Sequence, residues 1–112
     1  MKDTYKPIEI NIDNPINLFE EHRLKISQAI VHAIDYGLDS RKRKIEFAKV
    51  IVKELICITL AINKAEFEGL LDEHLKILVE YEDYETCALI MKLKEKINKK
   101  NEKVIKKNRI LD

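Results

Sequence analysis

The chain has 112 residues, of which 46% are apolar and 37% charged, with a net charge of +1, two glycines, two prolines and no tryptophan. That length suits one hydrophobic core, and the apolar content excludes a disordered polymer. The near-zero net charge excludes an overall pull toward nucleic acid or membrane, so the distribution of charge matters more than its sum.

Met1-Lys2-Asp3-Thr4 does not open as a secretory signal does. The longest apolar stretch, 50–62, is interrupted by Lys53, Glu54 and Thr59 and is shorter than the roughly 20 residues of a membrane-spanning helix. A cytoplasmic protein with no membrane contact is expected. Within residues 1–13, Ile8, Ile10 and Ile12 alternate with Glu9, Asn11 and Asp13, the period of a half-buried strand. With no second strand-like run to pair with, this reads as an extended N-terminal arm, either laid over the domain or offered to another subunit.

Asn14-Pro15 is a helix start, with a capping acceptor followed by a proline whose missing N–H costs nothing there. Leu18, Phe19, Ile26, Ala29, Ile30, Ala33 and Ile34 recur near helical spacing, and Gly37 is expected to end the helix in the left-handed conformation. Asp39 or Ser40 would cap a second helix. Its Ile45, Ala48, Val50, Ile51, Val52, Leu55, Ile56, Ile58 and Leu60 cover so much of the circumference that it is predicted to be the central, most buried element.

Asn63 and Glu66 have the spacing of a capping box and start a third helix. Its Phe67, Leu70, Leu71, Leu75, Leu78 and Tyr81 make one apolar stripe. Asp83 caps a fourth helix carrying Tyr84, Cys87, Ala88, Ile90, Met91, Leu93, Ile97 and Val104. Short connections favour antiparallel neighbours. The expected fold is therefore all-α: an up-down bundle of about four helices over 14–98, with the arm at 1–13 and a basic C-terminal tail or helix extension at 99–112.

Where the third and fourth helices join, Leu75, Leu78-Val79, the acidic turn Glu82-Asp83-Tyr84-Glu85, the small pair Cys87-Ala88 and Ile90 stand in a pattern that resembles the UVR motif. That motif is a short antiparallel helical hairpin used for protein contacts in excision-repair subunits and in some chaperone ATPases and their adaptors. The likeness spans residues 75–97 and departs at Met91-Lys92, where the family carries an Arg-Asp pair. It implies a hairpin that binds protein, with Leu78, Tyr81, Glu82, Asp83, Tyr84 and Glu85 as candidate contact residues.

Two basic clusters offer an alternative. Arg41, Lys42, Arg43 and Lys44 would begin the second helix, where the dipole disfavours them, and an answer is expected from the acids around Glu80, Glu82, Asp83 and Glu85. From Lys92 to Arg109 nine positive residues face two glutamates. Lys92, Lys96, Lys99, Lys103 and Lys106 share one helical face, which could follow a nucleic-acid backbone or an acidic protein. That stretch has no aromatic residue for base stacking.

No assembled chemistry is legible. His22, His32 and His74 are far apart, show no metal-ligand spacing and read as surface or boundary residues. Cys57 and Cys87 lack a CxxC arrangement and read as buried, reduced thiols, and two isolated glycines cannot form a phosphate loop. The sequence points to a non-enzymatic protein-interaction module of bacterial or phage type, without cofactor or metal, that acts through the hairpin. Self-association is a further option, and sequence-nonspecific nucleic-acid binding through the basic residues is the alternative.

Overall fold

The structure is a computed structural model that describes residues 5–110, with side chains described for residues 5–100. The chain runs through β1 (Ile8–Ile12), α1 (Leu18–Glu21), α2 (Arg23–Leu38), β2 (Lys44–Val52), β3 (Ile56–Asn63), α3 (Phe67–Glu80) and α4 (Tyr84–Ile110). Short 3-10 turns at Pro15–Asn17 and Lys64–Glu66 precede α1 and α3. The strands form one sheet in the order β1-β2-β3, with β1 parallel and β3 antiparallel to the central β2. This α/β architecture overturns the expected all-α bundle.

The difference lies in residues 44–63, which form the hairpin β2–β3 in place of the predicted central helix. Glu46 pairs with Ala61 and Ala48 with Leu60, so Phe47 is the extra residue of a β-bulge. A bulge shifts the in-out alternation by one place. Ile45, Phe47, Ala48, Val50 and Val52 are consequently all buried, yet their sequence does not alternate strictly. Ile45, Ala48 and Val52 instead stand three and four apart, which imitates a helix. The turn adds to the disguise. Lys53 and Glu54 have φ of 51° and 61°, and Leu55 N–H donates to the Val52 carbonyl at 3.0 Å. Positive φ at both central residues is the type I′ geometry of a two-residue hairpin, but the Asn-Gly or Asp-Gly that usually announces it is absent.

The hairpin also provides the missing partner for the arm. Ile8, Ile10 and Ile12 lie beside Ala48, Val50 and Val52 in parallel register. Their side chains share the helix-covered face, and the α1–α2 segment is the crossover that a parallel pair requires. Tyr5 extends this attachment: its ring lies 5.6 Å from that of Tyr36, and its hydroxyl donates to the Ala29 carbonyl.

The most buried helix is α2. Ile26, Ala29, Ile30, Val31, Ala33, Ile34 and Leu38 are all buried, because α2 contacts β2 on one side and the α3–α4 hairpin on another. Gly37 is needed for proximity rather than for a left-handed turn, since no glycine here has positive φ. A Cβ on Gly37 would stand 2.7 Å from Phe67 Cζ and 3.0 Å from Ile45 Cγ1, where the ends of α2, α3 and β2 converge. The expected first helix is divided at His22, and Phe19 is exposed.

The last two helices form where their capping residues and apolar spacing predict them. Asn63 N–H donates to the Glu66 carboxylate at 3.0 Å, and α3 follows. At its end Glu82 adopts φ of 58°. Asp83 N–H then reaches the Leu78 carbonyl and Glu82 N–H the Val79 carbonyl, both at 3.0 Å, which is a Schellman closure. Asp83 immediately caps α4 by accepting from Thr86 N–H and Oγ1. From there α4 runs for 27 residues, about 40 Å at 1.5 Å per residue. The molecule is correspondingly long, 58 × 30 × 27 Å, with a radius of gyration of 16.2 Å against about 13 Å for a compact domain near this size.

Candidate interaction surfaces

The hairpin apex collects most of the residues picked out by the UVR resemblance and sorts them into two groups. Leu78 is fully buried and belongs to the core. Asp83 is also engaged by the fold: besides Thr86, Gln28 Nε2 of α2 donates to it at 2.7 Å. The Gln28 and Thr86 hydrogen bonds hold its carboxyl below the ordinary aspartate pKa. Val79, Tyr81, Glu82, Tyr84 and Glu85 remain outside. On α4, Tyr84, Ala88 and Met91 are exposed at i, i+4 and i+7, backed by the buried stripe Cys87, Ile90 and Leu93. The sequence shows both stripes as apolar, and periodicity alone does not say which one faces the core.

The basic clusters lie away from the apex, where the middle of α4 passes the C-terminal end of α2. Arg41, Lys42 and Arg43 lie in the α2–β2 connection and Lys44 begins β2, so no helix starts there. The pairing expected with the hairpin acids is not made among the described residues. Lys96 Nζ instead spans both carboxylate oxygens of Asp39 at 2.9 and 3.0 Å, while Lys100 Nζ donates to the Leu38 carbonyl at 2.8 Å. The Lys96 hydrogen bond holds the Asp39 carboxyl below its ordinary pKa. Both lysines sit at the C-terminal end of α2, where the dipole favours positive charge. Lys99 stands 3.7 Å from Glu95 and Lys94 is paired with Asp72. Lys92 is exposed, and the side chains of Lys103 and Lys106 lie outside the described residues. Arg43 is tied to this region through its carbonyl, which accepts from Lys64 N–H. Clusters more than fifty residues apart in sequence thus meet around the end of α2.

A third surface was not foreseen. Beside β3, a groove of about 620 Å³ is lined by Phe19, Ile30, Phe47, Leu60, Leu70 and Ile77, among others, with Ser27 and His74 also on its wall. His74, expected near the surface, is 8% exposed, and its Nδ1 lies 2.8 Å from the Oγ of Ser27. Burial lowers the His74 pKa, and nearby Glu73 opposes that effect. Ser27 is 1% exposed, one turn into α2. The pair forms a buried polar link between α2 and α3.

Along the sheet, Ile56 and Ile58 are 59% and 41% exposed and Leu55 is 85% exposed. Cys57, expected in the core, is exposed, whereas Cys87 is buried; burial raises the Cys87 thiol pKa. No group of three or more metal-ligating side chains occurs among the described residues. None of the described helices is long and apolar enough to cross a membrane. Comparisons with protein-family models, with curated proteins and with solved structures find no match.

Proposed function

We propose that this chain is a non-enzymatic protein-interaction module that contacts its partner through the α3–α4 hairpin. The observation that carries the reading is the exposed row Tyr84, Ala88 and Met91 on α4, presented by an apex that the Schellman closure and the Asp83 cap hold in place. Exposed aromatic and methionine side chains supply apolar contact area, and a preorganised backbone beneath them lowers the ordering cost of binding. Tyr81 and Val79 widen the apolar row, and Glu82 and Glu85 give it an acidic rim.

The test is a double substitution, Tyr84→Ser with Met91→Ser. Both side chains are exposed, so the helical circular dichroism and the melting temperature should stay close to those of the parent chain. A partner retained by the parent on affinity capture and identified by mass spectrometry should be lost by the variant. Undiminished capture of that partner would remove the hairpin from consideration.

The gathering of Arg41, Lys42, Arg43, Lys96 and Lys100 around the end of α2 favours a second reading, contact with an anionic polymer such as nucleic acid. Several lysines there already have internal partners, which ranks this reading second. It requires a mobility shift with duplex DNA or RNA that weakens steeply with salt. Absence of any shift at low ionic strength would eliminate it.

A further inference from the structure

The two edges of the sheet are built differently. β1 is five residues long, follows Lys6-Pro7, carries Glu9 and ends beside Asp13; short length, proline and charge are the usual devices that stop an edge from pairing. β3 has none of them. From Leu55 to Ile62 the sequence is LICITLAI, with no charged residue, proline or glycine. It is the last strand of the sheet, and its second row of backbone hydrogen-bonding groups faces away from β2. The helical layer also stops short of it. Ile56, Ile58, Leu60 and Ile62 share the helix side with Val52, Val50, Ala48 and Ile45, yet Ile56 and Ile58 stay 59% and 41% exposed.

We propose that the occupant of this edge is a second copy of the same chain, joined by antiparallel β3–β3 pairing about a two-fold axis at Thr59. The sequence is close to a palindrome about that residue. Ile58 then faces Leu60 of the other copy, Cys57 faces Ala61, and Ile56 faces Ile62. Large apolar residues meet on the helix side, small ones on the outer side, and Thr59 meets itself, a favourable cross-strand pair. The same register sets Glu54 at the turn of one copy against Lys64 of the other, twice by symmetry. Such a contact is self-complementary and closed, as a two-fold interface must be. It makes a continuous six-stranded sheet and leaves no apolar edge exposed.

Light scattering on the full chain should give twice the 13.2 kDa chain mass. Ile58→Lys, which places a charge on the pairing edge, should return the chain to a monomer. Ala61→Cys tests the register without threatening the fold, because residue 61 is exposed on the outer face. Under oxidation it should form a covalent dimer through Cys57 of the other copy, at the Cα separation that disulfides accept. The parent chain should not crosslink, because its two Cys57 residues lie four positions apart in the paired strands. A monomeric parent chain at 100-micromolar-scale concentration, a dimer that survives Ile58→Lys, or failure of Ala61→Cys to crosslink would each overturn the proposal.

Discussion

Ser27 Oγ on α2 and His74 Nδ1 on α3 stand 2.8 Å apart inside the protein, forming a buried polar link between the two helices. The link has a predictable pH signature. Because the folded-state pKa of His74 lies below the ordinary 6.5, the unfolded chain binds a proton that the folded chain does not, once the pH falls under that value. The stability contributed by the neutral imidazole is present above pH 6.5 and is lost as the pH falls toward the folded pKa. Denaturant titrations at pH 7.5 and below pH 6 should show this decrease, and Ser27→Ala with His74→Leu should abolish it. Each single change should cost about 1–3 kcal/mol by orphaning the other group, with the double variant recovering part of that loss.

Asp39 and Asp83 predict a second, more acidic loss. Both carboxyls have folded pKa values below 3.8 because of their hydrogen bonds to Lys96 and to Gln28 and Thr86, respectively. Their contribution is complete well above pH 3.8 and disappears as the pH falls through the folded values. Asp83→Asn should therefore lessen the acid sensitivity below pH 4, measured by thermal melts in a pH series.

Gly37→Ala should destabilise the fold. The added methyl meets an aromatic carbon at 2.7 Å and a second buried side chain at 3.0 Å. Overpacking of this kind typically costs about 1–3 kcal/mol, outweighing the gain in helix propensity that alanine brings. Guanidinium unfolding would register the change, and an unaltered midpoint would contradict the close approach of Phe67 to α2.

At two sites the backbone calls for glycine and the sequence has none. Glu82 closes α3 with φ of 58°, and Lys53-Glu54 turns the hairpin with both φ positive. Glu82→Gly and the pair Lys53→Asn with Glu54→Gly should each raise stability by about 0.5–1 kcal/mol, because they relieve left-handed strain at exposed positions. A fall in melting temperature for either variant would show that the native side chain makes a compensating contact.

What could be read without the structure followed local chemistry. Asn63 with Glu66, Asp83 at the start of α4 and the three-and-four stripe of α3 act within one or two turns, so their consequences are written in adjacent residues. Of the contacts that the UVR resemblance implies, Tyr81 and Tyr84 are exposed, whereas Leu78 beside them is core. Tertiary structure alone decided the rest. The bulge at Phe47 shifted the phase of β2, and a type I′ turn made from Lys53-Glu54 lacked its usual residues. The hairpin therefore looked helical, and β1 seemed to have no partner. Once the hairpin formed, β1 acquired its ladder, α2 became the central helix, and the lysines of α4 came to the end of α2. Strand pairing is non-local: whether LICITLAI is a helix face or a sheet edge depends on residues elsewhere in the chain that supply its hydrogen bonds and cover its side chains. Binding through the α3–α4 hairpin was the sequence's suggestion, whereas the uncovered β3 edge emerges only when three separated segments are assembled into one sheet.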